Sequence, residues 1–320
     1  MEEYSWYDAF IEELYEQYPK KAQLAEELMN LLCIEREAAY RRLRKEVVFP
    51  IHEIVKIASA WNISLDGISG INSGLVPFQM QPLNYVNPSN KEMINLKNRV
   101  KALEHFEISP DAEYMEICNK LPRPIYIRSM TLYRFEIFKW LYLYNTDKTS
   151  VPYSQVIIPE KICQQFEGYI KNISNIKNSS FILDPMIFEH LVSNVQYFNS
   201  LLLISDDEKE QIKNKLYEML DYLMAIAARG CYPNTESKVN LYISQLSINT
   251  NYSYYFTEKL KSCRVHAFGK FDICSYDLEM VNNFKNWMNL KKRSSVQISE
   301  ANEMKRIEFF SKQRKVIDGL

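Results

Sequence analysis

The sequence predicts a mainly α protein in two domains. An N-terminal five-helix domain is expected over residues 1–70, then a linker over 71–88, then a larger α+β domain over 89–320 with a small antiparallel sheet. Three observations carry this. Apolar residues recur at spacings of three and four along most of the chain, the period of a helix with one buried face. Three of the seven glycines (Gly67, Gly70, Gly74) and three of the twelve prolines (Pro77, Pro82, Pro88) crowd into residues 67–88, which suits a linker. After Tyr232 the pattern changes to alternation, with Val239, Leu241 and Ile243 separated by polar residues, the period of a half-buried strand.

Phe10, Ile11, Leu14 and Tyr15 form the stripe of a first helix that closes near Pro19. Leu24, Leu28 and Leu31 mark a second helix, and Cys33-Ile34 breaks it. In the third, EREAAYRRLRK over residues 35–45, Ala39 and Leu43 lie one turn apart and face inward together. Pro50 opens a fourth helix whose inner face is read as Ile51, Ile54, Val55, Ala58 and Trp61, and Ser64 caps a short fifth. Beyond the linker, Ser89 and Glu92 have the spacing of a capping box. The helix they open carries Met93, Leu96, Val100 and Leu103, a seam of about two heptads, too short to argue a coiled coil. MTLYRFEIFKWLYLY, ending at Tyr144, is apolar nearly all round and reads as a core helix. Helical patterns follow over 159–176 and 185–203, and a second capping box, Ser205 with Glu208, opens a long helix that ends near Gly230. NYSYYF and CRVHAF supply an antiparallel sheet of two to four strands; Asp277 caps a helix, and a last helix runs over 300–317.

Composition narrows the function classes. At 47% hydrophobic and 25% charged the chain can build real cores. The formal net charge of −1 means that any nucleic-acid role rests on a local patch. Six scattered cysteines, without a C-x-x-C pair, read as reduced thiols, and MEEYSWYDAF lacks the basic and apolar regions of an export signal, so a cytoplasmic protein is expected. No apolar run of about 18 residues appears, which argues against a membrane span.

The third helix holds the chemistry of most interest. With Ala39 and Leu43 inward, Arg36, Glu37, Tyr40, Arg41 and Arg44 fall on the outer side. Arginine can pair bidentately with guanine, and a carboxylate can accept from cytosine N4. Residues 1–70 carry eight Lys and Arg against thirteen Asp and Glu, so the domain is acidic overall and its positive charge is concentrated in this one element. Modest, salt-sensitive affinity for DNA is expected from such a face.

LAEELMNLLCIEREAAYRRLRKEVVFPIHEIVKIASAWNISLD resembles the Cro/phage-repressor (XRE) type of helix-turn-helix domain, a lambda-repressor-like fold. The segment AYRRLRKEVVF is similar to that of a group of regulators common in Bacteroides and its relatives, and the likeness extends to the tail RIEFFSKQRKVI. The resemblance implies base-reading positions at Arg36, Glu37 and Arg41, and phosphate contacts by Lys21, Arg44 and Lys45. It also marks departures: Met29 replaces a small alanine, Cys33 the turn glycine and Ala39 a β-branched residue. Arg42 stands at a usual inner Leu or Ile position, and is expected to snorkel or to reach phosphate.

Other constellations are weak. Cys263 and His266 with Cys274 lack a fourth ligand at zinc spacing, so no metal is expected. Asp206, Asp207 and Glu208 suit a helix N-terminus better than a catalytic pair, and the glycines of GISGINSG lack the strand a phosphate loop needs. No hydrolase, nucleotide-binding or metalloprotease motif appears, so a non-enzymatic protein without a cofactor is expected. The basic tail around Lys291, Lys292 and Arg293 reads as a solvated face. The expected function is sequence-specific binding of double-stranded DNA in transcription regulation, as a homodimer on a pseudo-palindromic site. The C-terminal domain would dimerise and answer to a small-molecule or protein effector. The alternative is an adaptor that uses the helical N-terminal domain to dock a protein.

Overall fold

A computed structural model describes residues 6–18, 20–61, 63–68, 76–80, 83–104, 106, 109–144, 151–258, 260–267 and 271–320. The protein is α+β: helices dominate, and the described strands form one mixed sheet. The chain divides into two compact units, Met1–Leu75 and Val76–Leu320.

The first unit holds five helices: α1 (Trp6–Gln17), α2 (Lys21–Leu32), α3 (Arg36–Leu43), α4 (Ile51–Trp61) and α5 (Leu65–Ile68). Its core takes Phe10, Ile11 and Leu14 from α1, Leu24, Ala25 and Leu28 from α2, Ala39 and Leu43 from α3, and Ile54, Ile57 and Ala58 from α4. Phe49 closes it from the loop, edge-on to Phe10 at 6.0 Å, and its backbone N–H donates to the Tyr7 hydroxyl. The expected inner face of α4 needs correction. Ile51 and Val55 are exposed, while Glu53 is buried beside Ile54. The reason is Arg42, described below.

The second unit is built on an eight-stranded sheet, where a small antiparallel one was expected. Its strands are β1 (Gln79–Met80), β2 (Glu113–Cys118), β3 (Asn178–Leu183), β4 (Lys238–Ser244), β5 (Tyr252–Phe256), β6 (Lys261–His266), β7 (Asp272–Ser275) and β8 (Ser295–Gln297), in the order β1-β7-β6-β5-β2-β3-β4-β8. The centre, β2-β3-β4, is parallel and the rest is antiparallel. β2 and β3 are buried on both faces from their second residue on, so EYMEIC and NSSFIL lack the alternation that betrays a strand. The prolines of 76–88 do not mark a free linker. β1 pairs with β7, and Leu83 is buried in the main core; the rest of the expected linker, 71–75 with 81–82, lies outside the described residues.

Helices cover both faces of the sheet. α6 (Asn90–Ala102), α7 (Arg123–Tyr126), α8 (Met130–Tyr144), α9 (Glu160–Ser174), α10 (Glu189–Ser200), α11 (Asp206–Arg229) and α13 (Glu303–Asp318) contribute to the larger core. α12 (Leu278–Arg293) covers the other face with Val281, Phe284 and Met288, against Met115, Ile117, Ile182 and Tyr254. Met93, Leu96 and Leu103 of the short heptad seam are buried within this unit, so the seam is used internally. Both capping boxes form. Ser89 Oγ accepts from Glu92 N–H at 3.3 Å while the Glu92 carboxylate accepts from Ser89 N–H at 2.8 Å, and Ser205 with Glu208 repeats the exchange.

Gly230 ends α11 in the left-handed conformation at φ 68°. A Cβ there would stand 2.4 Å from Glu300 Cδ. Gly230→Ala is therefore expected to cost about 1–2 kcal/mol, chiefly as backbone strain because the Glu300 side chain can swing aside. Chemical denaturation would show a lower midpoint with an unchanged slope; an unchanged midpoint would mean that the cap tolerates a side chain.

Candidate nucleic-acid interface

α2 and α3 are joined by a three-residue break, 33–35, whose first residue, Cys33, takes φ 56°. This is the left-handed conformation that glycine reaches most cheaply, so the turn keeps the glycine geometry with a cysteine in place. α3 then lays Ala39 and Leu43 into the core. Met29, partly buried, packs against the same core.

Six of the seven predicted contact residues lie on α3 and its C-terminal turn, and six of the seven are exposed: Arg36, Glu37, Arg41, Arg44, Lys45 and Lys21. Tyr40 is half-buried, with the Lys21 ammonium 6.0 Å and the Arg36 guanidinium 5.8 Å from its ring centroid. Both are near the outer limit of a cation–π contact. The structure thus brings Lys21, from the start of α2, beside the outer face of α3.

Carboxylates already hold much of this face. Arg44 donates to Glu37 at 2.8 Å and to Glu46 at 2.6 Å. These hydrogen bonds raise the Arg44 pKa, the bond to Glu46 most, and in turn that bond lowers Glu46 below the usual carboxylate range. Arg41 lies 3.7 Å from Glu46, and Lys45 pairs with Asp8 of α1. Neither Arg36 nor Lys21 has an ion pair among the described residues. Sequence reasoning missed Glu46 and Asp8; a signal for Glu46 was its place two residues beyond Arg44. Exposed pairs of this kind contribute little to stability, so an incoming phosphate can displace them at little cost.

Arg42 is the clearest departure from expectation. It neither snorkels to solvent nor joins the outer face. Its guanidinium turns inward and forks onto Glu53, Nε to Oε2 at 2.7 Å and Nη2 to Oε1 at 2.9 Å. It also donates to the Ala38 carbonyl at 3.2 Å and lies over the Phe49 ring. This pair explains why Glu53 is an inner residue of α4.

The Cys/His cluster of the sequence comes apart in the sheet. Cys263 and His266 are three residues apart on β6, so they project to opposite faces: Cys263 joins the core under α12, and His266 turns to Asp272 on the other side. Basic residues of the tail are engaged within the second unit, Lys285 with Glu113 and Arg314 with Asp221. Among the described residues no helix is long and apolar enough to cross a membrane.

Comparisons with protein-family models, with curated proteins and with solved structures found no match for this chain.

Proposed function

We propose that the protein is a sequence-specific DNA-binding transcriptional regulator of the helix-turn-helix type, with α3 entering the major groove, acting as a homodimer on a pseudo-palindromic site. The observation that carries the reading is the α2–turn–α3 unit, in which Ala39 and Leu43 anchor α3 while Arg36, Glu37 and Arg41 stand outside. A recognition helix needs this combination of a held inner face and long polar outer side chains. Arg36 and Arg41 are the base readers, Glu37 the acceptor, and Lys21, Arg44 and Lys45 the phosphate contacts. The Tyr40 ring lies beside both Lys21 and Arg36.

The test is a random-sequence selection with the full chain, followed by anisotropy titrations on the enriched site. Arg36→Ala and Arg41→Ala are each expected to cost about 1–3 kcal/mol on that site and to relax preference at one base position. Lys21→Ala should weaken all sequences alike and flatten the salt slope by about one. Retention of wild-type specificity and salt slope by both arginine variants would show that the recognition helix is wrongly assigned.

One observation favours a second reading, a protein-docking adaptor. Val48, Ile51 and Val55 are 62%, 71% and 49% exposed and cluster at the start of α4. Apolar exposure of this kind suits a protein contact. Selection that enriches no DNA sequence would remove the first reading and leave this one.

A further inference from the structure

The second unit contains a polar cavity that the DNA reading leaves without a role. A helix-covered sheet face is ordinarily apolar, and here it is not. Alternation places Glu116, Ser253, Arg264 and Cys274 in one row across β2, β5, β6 and β7, each registered with the next. His266 and Asp272 form a paired position in the adjoining row. Above them lies a cavity of about 170 Å³, closed by residues of α6, α7, α8 and α9. That is space on the order of ten waters, or one small organic molecule.

Its charge is unbalanced. Arg99 from α6, Arg123 from α7, Arg264 from β6 and Lys120 all line it. Among the described residues Asp272 is the carboxylate that pairs with the strand and α7 cations: Arg123 lies 2.8 Å from it, His266 Nδ1 3.0 Å and Arg264 3.7 Å. Two other carboxylates line the cavity, and the charge of Glu136 favours the protonated form of Lys120. Glu136 is paired with Lys139, and burial pushes the Glu116 carboxyl up, towards its neutral form. Arg99 is held below its ordinary pKa by burial and then by the repulsion of Arg264 and Arg123. Among the described lining residues the basic side chains therefore outnumber the ionised carboxylates.

Apart from Asn251, Ser253 and Ser262, the remainder of the lining is aromatic and aliphatic. Tyr126 and Tyr133 stack with centroids 6.2 Å apart, Phe166 meets Tyr133 edge-on, and Tyr169 and Tyr255 bring their hydroxyls within 2.9 Å of each other. Leu132, Tyr133 and Glu136 bring α8 into the lining, so the apolar helix of the sequence serves the cavity as well as the core.

We propose that this cavity is a binding site for a small organic anion, whose carboxylate or phosphate head meets Arg99, Arg123 and Arg264 and whose apolar body lies among Tyr126, Tyr133 and Phe166. Guanidinium forks match both head groups bidentately, and charge-assisted bonds in a low-dielectric site are stronger than neutral ones. Such an anion would supply the negative charge that Asp272 alone does not. The site lies wholly within the second unit, and its existence does not depend on DNA binding by the first.

The experiment is calorimetric titration of the full chain with phenyl phosphate, with phenylacetate and with neutral benzyl alcohol. At least one of the anions is expected to bind with a Kd of about 1 mM or tighter, and the alcohol at least about tenfold more weakly. Binding of phenyl phosphate alone identifies a phosphate head, binding of phenylacetate alone a carboxylate; either supports the site. Arg99→Gln and Arg264→Gln should each weaken the bound anion about tenfold or more, the loss of one charge-assisted bond. Arg264 also donates to Cys274 Sγ, so its variant could unfold. Arg99→Gln, checked for a wild-type melting curve, then decides. The proposal is overturned if neither anion binds at these concentrations, if benzyl alcohol binds as tightly, or if Arg99→Gln binds the anion as the wild type does.

Discussion

Glu53→Ala is expected to unfold the first unit, whereas the double change Arg42→Leu with Glu53→Leu leaves it folded. The Arg42 and Glu53 side chains are 15% and 10% exposed, so the pair is largely withdrawn from water. Removing one partner strands the other charge, at a cost of about 3–5 kcal/mol. A unit of this size has about 5 kcal/mol or little more to lose. Replacing both charges by leucine removes the desolvation cost together with the attraction, and buried pairs replaced in this way are commonly neutral or better. The checking measurement is hydrogen exchange of the full chain, read on peptides from α2, α3 and α4. Single-variant peptides should exchange near the unprotected rate, and double-variant peptides like the wild type. Equal protection in all three proteins would mean that the pair carries no net stability.

That experiment also tests the DNA reading. Arg42 lies between Arg41 and Leu43 but takes no part in the outer face, so the double variant should keep the wild-type site and salt slope if the protein binds DNA at all. A phosphate role for Arg42 would instead flatten the slope.

How far the fold was legible follows from how local each signal is. Ser89 with Glu92, and Ser205 with Glu208, are three residues apart, and both form the boxes their spacing implies. Ala39 and Leu43 are one turn apart and are buried as that spacing requires. The orientation of Arg42 was not legible, because its partner lies on the next helix and a lone arginine at an inner position admits snorkelling equally well. β2 and β3 escaped because a parallel strand covered on both faces reads as a short apolar run, which periodicity cannot separate from a piece of helix. Their omission turned a mixed eight-stranded sheet into a small antiparallel one. The cavity was hidden for a related reason. Arg99, Arg123, Arg264 and Asp272 sit on four separate elements, two strands and two helices, and only the tertiary fold gathers them. The face of α3 was legible as a set of residues, but its neutralisation by Asp8 and Glu46 depends on packing across elements and on a turn beyond the helix.

Asp272→Asn is the change expected to cost the second unit most. Asparagine keeps the shape of the side chain but leaves Arg123 and Arg264 facing each other across a buried neutral group. A loss on the order of 3–5 kcal/mol is expected at neutral pH. The pH dependence separates this electrostatic cause from a packing defect. Burial alone would raise the Asp272 pKa, but Arg123, the hydrogen bond from His266 and Arg264 outweigh it and hold the carboxyl well below the usual range. A group with a depressed folded pKa stabilises fully above its unfolded pKa, near 3.9, and loses that contribution as the pH falls towards the folded value. Urea unfolding of wild type and variant should therefore differ by a constant amount from about pH 7 down to about pH 5, and the gap should narrow by about 1.4 kcal/mol per pH unit below about pH 4. A gap that stays constant to about pH 2 would assign the loss to packing. The same variant bears on the anion site, because it raises the positive excess of the cavity by one charge. Phenyl phosphate or phenylacetate, whichever the wild type binds, should then raise the melting temperature of Asp272→Asn by more than it raises that of the wild type. An equal or smaller rise would mean that the bound anion does not face the guanidiniums that Asp272 holds.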